Sequence, residues 1–233
     1  MTEFYYYDSS FYAAVLLDTI LLFDFHSDVP EQFYLDFPEE RLRKAAQTVF
    51  FISHIHSDHY TGKVFDLLGD KAVYIADRAV GNPKGLPLIP VEPGSRVDLG
   101  DIRVSVFGST DEGVSFGVTV GGVRIFHAGD LNLWHWTGEN TEEEEKEARD
   151  WFERELEKVA AGFPCPDYAM FPVDGRMNGN YSEGAEEFIR KVRPRVFLPM
   201  HFWKNWEIPR AFAEKRFQGT KTAVIRGYGK IDI

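Results

Sequence analysis

The chain has 233 residues, of which 44% are hydrophobic and 15% aromatic, and this composition is sufficient for a substantial folded core. Its formal net charge of −11 excludes broad binding to a nucleic-acid backbone, although a local cation site can still accept a phosphate ester. The chain has a single cysteine, Cys165, so it cannot form an intramolecular disulfide, and this favours a reducing compartment. Because the sequence also shows neither a signal peptide nor a membrane-length apolar run, we expect a cytoplasmic protein with a small-molecule substrate and no membrane span.

The first third of the sequence predicts a hairpin followed by two helices that flank a strand. Phe11–Leu17 and Thr19–Phe25 are apolar runs separated by Asp18, a pattern that is typical of a β-hairpin. The next three elements are a helix, a short buried strand and a helix, predicted over Pro38–Gln47, Thr48–Ile52 and Gly62–Leu68.

The middle of the sequence is rich in β signals. Five short runs of β-branched or aromatic residues, bounded by Gly, Pro or Asp, predict strands over Val73–Ile75, Pro87–Val91, Ile102–Phe107, Val114–Val120 and Val123–Phe126. Gly121 and Gly122 predict a tight turn between the last two strands. The clearest helix is predicted over Thr141–Val159, where Thr141 and Glu144 fit a capping box.

The last part of the sequence alternates between strands and helices. The predicted elements are a strand, a helix and two strands, over Tyr168–Pro172, Ser182–Val192, Arg195–Pro199 and Thr222–Ile225. No low-complexity linker interrupts the chain, so we expect one domain over residues 1–233. The order of elements gives two β-rich halves with helices, which predicts two packed sheets with helices outside.

Three of the seven histidines lie within six residues, in the segment from His54 to His59. Side chains alternate along a strand, so His54 and His56 at a strand end point to the same side and can bind one cation. Asp58 and His59 follow where the chain turns, and they can face a second cation. Imidazole together with carboxylate suits zinc, and also iron or manganese. The spacing therefore predicts a metal site; unrelated surface or core histidines are the alternative.

This segment, His-Ile-His-Ser-Asp-His, resembles the H-x-H-x-D-H motif of the metallo-β-lactamase superfamily at every fixed position. Residues 126–130, ending in Gly-Asp, resemble the strand end whose aspartate bridges two metals. Residues 199–202, Pro-Met-His-Phe, resemble the last strand end that carries a ligand. Residues 21–24 resemble an early strand whose aspartate supports the metal loop. The resemblance extends from about residue 20 to 201 and is greatest to the branch of ascorbate-6-phosphate lactonase-like and phospholipase D-like enzymes.

The resemblance implies an α+β fold, a four-layer αββα sandwich with two divalent metal ions at one edge between the sheets. Zinc is the expected metal, with manganese or iron as alternatives. The metal ligands that it implies are His54, His56, Asp58, His59, Asp130 and His201. It also implies that Asp24 supports the metal loop without binding the metal.

The sequence departs from the family at one ligand of the first metal. The family usually supplies another histidine between the motif and the Gly-Asp, but this chain has no histidine between residues 60 and 126. Asp111 is the best replacement, Thr110 is a weaker candidate, and an ordinary polar turn is the alternative. If the turn holds no ligand, the first site keeps only His54, His56 and Asp130 and binds metal weakly, while the second site remains complete.

Four further residues are candidates for the site or its surroundings. Asp174 and Arg176 follow a predicted strand, where Arg176 can hold an anionic substrate group and Asp174 can orient it. An ordinary surface ion pair is the alternative for this pair. His135 is a candidate pocket residue or replacement ligand. His127 is expected to be packed or hydrogen-bonded rather than a ligand.

These features together predict a metal-dependent hydrolase. A cation lowers the pKa of its bound water, and the resulting hydroxide would attack a small ester, lactone or phosphodiester. Asp58 is predicted to orient this nucleophile and to accept its proton. Two other classes stay open: a non-catalytic metal-binding or ligand-sensing module, favoured by the missing histidine, and a di-iron oxidoreductase that needs a separate flavin partner.

Overall fold

Two seven-stranded sheets form the centre of the protein in the computed structural model, which describes residues 2–136 and 138–233 without the side chain of Asn178. The first sheet contains, from edge to edge, β14 (Gly229–Lys230), β1 (Thr2–Tyr6), β2 (Tyr12–Leu16), β3 (Thr19–Phe23), β4 (Gln47–Ile52), β5 (Val73–Asp77) and β6 (Leu88–Val91). The second contains β13 (Lys221–Thr222), β12 (Val196–Met200), β11 (Tyr168–Pro172), β10 (Val123–His127), β9 (Val114–Val120), β8 (Ile102–Gly108) and β7 (Arg96–Asp98).

The two sheets have the same internal plan. In the first, the pairs from β14 to β3 are antiparallel and the pairs from β3 to β6 are parallel. In the second, the pairs from β7 to β10 are antiparallel and the pairs from β10 to β13 are parallel. The parallel part of each sheet therefore brings several carboxyl-terminal strand ends to one edge.

Six helices lie outside the sheets. They are α1 (Glu31–Asp36), α2 (Glu39–Lys44), α3 (Val64–Leu68), α4 (Glu142–Gly162), α5 (Glu183–Val192) and α6 (Glu207–Glu214). The predicted capping box of α4 is confirmed, since the Thr141 hydroxyl accepts from the Glu144 backbone and the Glu144 carboxylate accepts from the Thr141 backbone. None of the described helices is both long and apolar enough to cross a membrane.

Strand β4 shows why the layers form. Val49 and Phe51 are buried in the core between the two sheets, whereas Phe50 and Ile52 are buried on the opposite face with residues of α1, α2 and α3. Side chains alternate across a strand, so an uninterrupted apolar run supplies both faces of a sheet that is covered on both sides. Residues of α4, α5 and α6 join the core on the side of the second sheet, which completes the predicted αββα order.

Most predicted elements are confirmed, with differences at several short elements. The predicted strand Thr222–Ile225 is the shorter Lys221–Thr222; the Ala223 backbone N–H still donates to the Phe197 carbonyl at 2.9 Å, and beyond it Ile225 is buried in the core without continuing the strand. The prediction also missed β1, β7, β14, α1 and α6. In β1 both faces are apolar and buried, so the alternation that identifies a strand is hidden.

Candidate metal centre

Five strand ends meet at the edge where the parallel parts of the two sheets face each other. One candidate residue or segment follows each of these strands: Asp24 after β3, residues 53–59 after β4, Asp130 after β10, Asp174 after β11 and His201 after β12. The fold thus gathers residues that lie up to 177 positions apart in the sequence, as the chain positions of Asp24 and His201 show.

The predicted ligands form three overlapping groups, within each of which the ligand atoms lie within 4.8 Å of one another. These groups are His54, His59 and Asp130; then Asp58, His59 and His201; and finally His56, Asp111 and Asp130. The structure therefore brings all six predicted ligands together, and it places Asp111 beside them where the family's additional histidine is absent.

The carboxylate of Asp130 lies between two sets of histidines. Its Oδ2 atom is 3.4 Å from Nε2 of His54. Its Oδ1 atom is 3.1 Å from Nε2 of His59 and 3.4 Å from Nε2 of His201. The two oxygens of one carboxylate thus face different nitrogen donors, which is the arrangement that a carboxylate bridging two cations needs.

Three polar atoms at this point have no hydrogen-bond partner among the described residues. They are Nε2 of His59, Nε2 of His201 and Oδ1 of Asp130, and all three are buried. A buried polar atom without a partner costs about 1–3 kcal/mol, and the two nitrogens lie 3.1 and 3.4 Å from the Asp130 oxygen, so either a proton or a cation between them would offset that cost. Two nitrogen donors and a carboxylate oxygen are a donor set that suits zinc, iron or manganese.

Partners on the far side of each ring fix the direction of these nitrogens. Nδ1 of His59 lies 2.8 Å from the carboxylate of Asp24, and Nδ1 of His201 lies 3.0 Å from that of Asp174. Because an ionised carboxylate only accepts, each Nδ1 carries a hydrogen and each Nε2 faces Asp130. Although burial opposes it, the Asp130 carboxylate raises the pKa of His59 well above its ordinary value, so a cation at this position would take the place of the Nε2 proton. Nδ1 of His54 is held in the same way at 2.9 Å by the hydroxyl of Ser53, which in turn donates to Asp24.

The electrostatics of the group also suit a cation. Burial and the neighbouring His59 lower the pKa of His54 to about 4, so its imidazole is neutral at pH 7. Burial opposes ionisation of Asp130, but His59 and His201 hold the pKa of Asp130 far below its ordinary value. Burial and the charge of Asp130 raise the pKa of Asp111. A cation between these two carboxylates would relieve that repulsion.

The local backbone is shaped by close approaches that few residues permit. Gly129 has a φ of +54°, and a Cβ there would lie 2.6 Å from the carbonyl oxygen of Val114. Asp24 and His201 adopt left-handed φ values of 53° and 64°, which are uncommon away from glycine. Such conformations cluster at functional sites, where surrounding contacts hold them in place.

Asp174 and Arg176, the predicted substrate-binding pair, occupy different environments. Asp174 is fully buried, and its Oδ2 atom contacts both Nδ1 of His201 and the Arg176 guanidinium. Asp174 therefore orients the ring of His201, a candidate metal ligand. Arg176 is about half exposed and lines the cavity above the metal ligands.

The other histidines lie outside the three ligand groups. His135 is not brought to the cavity: its Nδ1 lies 3.1 Å from the Leu133 carbonyl, and its Nε2 lies 2.8 Å from Glu183 of α5. The expectation for His127 is confirmed, because its ring stacks on Phe23 and its Nε2 lies 2.9 Å from the Ser10 carbonyl.

Sequence reasoning missed the tryptophans beside the metal ligands. The cavity has a volume of about 320 Å³ and is lined by His56, Asp58, Thr110, Asp111, Asp130, Trp134, Trp136, Arg176 and His201. The clustering of Trp134 and Trp136 just after Asp130 is the signal that could have identified this wall. Ser9, in the turn after β1, was also missed; its hydroxyl lies 3.4 Å from Asp58.

No protein-family model matches the chain. The chain is 27% identical over 180 residues to the UPF0173 protein of Pyrococcus furiosus, an alignment that spans 72% of each protein. It is 26% identical over 175 residues to the UPF0173 metal-dependent hydrolase of Symbiobacterium thermophilum, over 65% of this chain and 64% of the relative.

Solved structures are similar over almost the whole chain. Igni18, a metallo hydrolase of Ignicoccus hospitalis, matches with a TM-score of 0.68 and 18% identity, over 99% of this chain and 97% of that one. YhfI of Bacillus subtilis, a metallo-β-lactamase fold protein, matches with a TM-score of 0.65 and 14% identity, over 96% and 90%. The chain has the metallo-β-lactamase fold. The predicted fold class is thereby confirmed, and the narrower lactonase-like or phospholipase D-like branch stays a prediction.

Proposed function

We propose that this chain is a metal-dependent hydrolase that uses two divalent cations to cleave a small ester, lactone or phosphodiester. The observation that carries the proposal is the convergence of three buried, unpaired atoms on His59, His201 and Asp130. The similarity of the chain to a relative named as a metal-dependent hydrolase supports the same conclusion. Because the fold hosts many reactions, the substrate class has to be argued from the site itself.

The donor atoms divide into two sets that share Asp130. The first cation would be held by His54, His56 and Asp130, with Asp111 in the position of the absent histidine. The second would be held by Asp58, His59, Asp130 and His201. Zinc fits this mixture of imidazole and carboxylate, and manganese and iron are alternatives.

Bound cations would supply a water of lowered pKa and would polarise the substrate. Asp58 lines the cavity, and its Oδ2 atom lies 3.5 Å from Nε2 of His59 and 3.7 Å from Nε2 of His201. Although burial opposes it, contacts with His59 and His201 keep the pKa of Asp58 below its ordinary value, so the carboxylate is ionised and can orient the attacking water.

For an ester, the reaction needs water and no redox partner. The water oxygen forms a bond to the acyl carbon, and the bond from that carbon to the leaving oxygen breaks. Asp58 accepts a proton from the water and passes it to the leaving oxygen. The products are an alcohol and a carboxylic acid, which loses its own proton at neutral pH.

The test uses protein loaded with zinc or manganese on a panel of 4-nitrophenyl esters, lactones and bis(4-nitrophenyl) phosphate. We expect turnover of at least one class, and we expect Asp58→Asn to lower it at least about a hundredfold without unfolding the protein. Asp66→Asn, on the surface of α3, is the matched control. Full turnover by Asp58→Asn would remove Asp58 from this role.

The same experiment separates the other two candidate functions. Tightly bound metal without turnover on any substrate would favour a metal-binding or ligand-sensing module. Bound iron with oxygen reduction in the presence of a flavin partner would favour an oxidoreductase. Either result would overturn the hydrolase proposal.

A further inference from the structure

The guanidinium of Arg176 is held in a fixed position at the mouth of the cavity. Its Nε and Nη2 atoms contact the carboxylate of Asp174 at 2.6 to 3.1 Å, and its backbone N–H donates to the same carboxylate at 2.9 Å. Its Cζ atom lies 3.9 Å from the ring centre of Trp203 and 5.7 Å from that of Trp136. A long side chain usually loses conformational entropy when it binds a ligand. These contacts already restrict Arg176, so little further entropy would be lost on binding.

This guanidinium still presents donors to the cavity. The contacts with Asp174 use Nε and Nη2, so the two N–H groups on Nη1 are not part of that pair. The side chain is 53% exposed and lines the cavity. A planar guanidinium donates hydrogen bonds in a geometry that matches a carboxylate or a phosphate.

Charge makes Arg176 distinctive within the cavity. It is the one lysine or arginine among the nine described lining residues, which also include the carboxylates of Asp58, Asp111 and Asp130. The whole chain carries a net charge of −11. Part of the Arg176 charge is balanced by the buried Asp174, and the remaining positive field in a cavity otherwise lined by carboxylates favours an anionic ligand group at this point.

Two tryptophan rings lie between the candidate metal ligands and this cation. The rings of Trp134 and Trp136 are nearly parallel, at an angle of 11° with centres 6.0 Å apart. Trp134 is fixed by a 2.7 Å hydrogen bond to the Asp130 carbonyl, and its ring centre is 5.5 Å from that of His201. Trp136 contacts Arg176 at the other end. The stacked pair therefore spans the distance from His201 to the guanidinium, and its ring edges and exposed faces are available to the part of a ligand between these groups.

We propose that the substrate is a small ester or lactone that carries an oxyanion, a carboxylate or a phosphate, bound by Arg176, and that its remaining part contacts Trp134 and Trp136. This inference rests on the proposed function for the bond that is cleaved. The anion site itself does not, because it can be measured without turnover. A cavity of about 320 Å³ is at the small end of ligand pockets, which limits the substrate to a compact molecule.

The experiment titrates the zinc-loaded protein with benzoate, phenyl phosphate and the neutral benzamide, and follows the indole N–H signals by NMR. We expect benzoate or phenyl phosphate to bind at least about tenfold more tightly than benzamide, because hydrogen bonds to a charged group are lost in the amide. The signals of Trp134 and Trp136 should shift, whereas that of Trp151 on α4 should not. Tighter phenyl phosphate indicates a phosphate-bearing substrate, and tighter benzoate a carboxylate-bearing one.

Variants of Arg176 test whether the anion binds at this residue. Arg176→Gln should raise the Kd of the preferred anion at least about tenfold, and Arg210→Gln on the surface of α6 should leave it unchanged. Arg176→Lys, which keeps the charge but loses the planar fork, should also weaken binding and serves if the glutamine variant does not fold. Binding of both anions no tighter than that of benzamide, or an unchanged Kd in both Arg176 variants, would overturn the proposal.

Failure of the anion site and failure of the proposed function give different results. If neutral esters are hydrolysed and Arg176→Gln has no effect on anion binding, the hydrolase stands and the anion site is wrong. If benzoate or phenyl phosphate binds through Arg176 but no ester, lactone or phosphodiester is cleaved with any metal, the anion site stands and the hydrolase is wrong.

Discussion

The two ends of the ligand group differ in how firmly the chain holds them. His59 and His201 are buried, and each contacts a fully buried carboxylate through Nδ1. His56 is 43% exposed, and its Nε2 atom lies 3.5 Å from Glu112, which is 55% exposed. A buried partner orients an imidazole and increases its affinity for metal, whereas an exposed one is screened by water.

The difference follows from the positions of these residues in the fold. His59 lies between the two sheets, within reach of the ends of β3, β10 and β12. His56 lies on the outer side of the same segment, beside the loop that carries Asp111 and Glu112. A short histidine motif can thus contain a rigid donor and a loosely held one, and the two cations are expected to bind with unequal affinity.

The largest effect is expected from changing Asp130, the carboxylate that both ends of the ligand group share. Asp130→Asn is expected to weaken both cations by more than about a hundredfold, because partners outside the ligand shell alone contribute 10- to 100-fold. Metal content after dialysis, measured by mass spectrometry, checks this, with Asp101→Asn as the surface control. Two equivalents of metal on Asp130→Asn would show that the ends do not depend on a common carboxylate.

A matched pair of variants compares the carboxylates that contact His59 and His56. Asp24→Asn removes the charge 2.8 Å from His59 and should weaken the tighter cation about 10- to 100-fold. Glu112→Gln removes the charge 3.5 Å from His56 and should change affinity no more than about fivefold, as for an exposed pair. Competition with a zinc indicator measures both constants. Thermal unfolding of the metal-free proteins shows whether Asp24→Asn also destabilises the fold, and the reverse order of effects would contradict the comparison.

The smallest effect is expected from changing Asp111, and it tests whether this residue belongs to the first metal site. Asp111→Asn should weaken only the weaker cation, by roughly tenfold, because its carboxylate groups with His56 and Asp130 and not with His201. A stepwise chelator challenge should then remove the first equivalent faster and the second at the wild-type rate. Equal acceleration of both steps, or of neither, would remove Asp111 from the first site.

The central part of the site could be predicted because it depends on strand ends. His54 and His56 follow a buried strand at a spacing of two, so their common side is set by the backbone alone. Asp130 and His201 were predicted from their resemblance to motifs of the metallo-β-lactamase superfamily. The structure supplies the physical reason for their proximity, because each follows an apolar strand of the second sheet and parallel strands bring their carboxyl ends to one edge.

The rest depends on side-chain directions and loop paths that periodicity does not specify. Asp174 was expected to orient the substrate, yet its carboxylate contacts His201. A signal for this contact existed, because β11 and β12 pair in parallel with Pro172 opposite Met200, which makes the residues after them neighbours. No such rule applies to His135, which the loop after Asp130 directs towards Glu183 of α5.

The ligands come from both sheets, and this has a consequence for the lifetime of the folded protein. Residues 54–59 follow a strand of the first sheet, whereas Asp130 and His201 follow strands of the second, so a complete donor set exists only while the sheets are docked. Metal that binds the docked arrangement and not the unfolded chain would stabilise the native state. We expect the complete donor set to form only after the folding transition state, and interactions that are absent from that state act mainly on the unfolding rate. Loss of metal would therefore shorten the time that each molecule stays folded while hardly changing how fast it refolds.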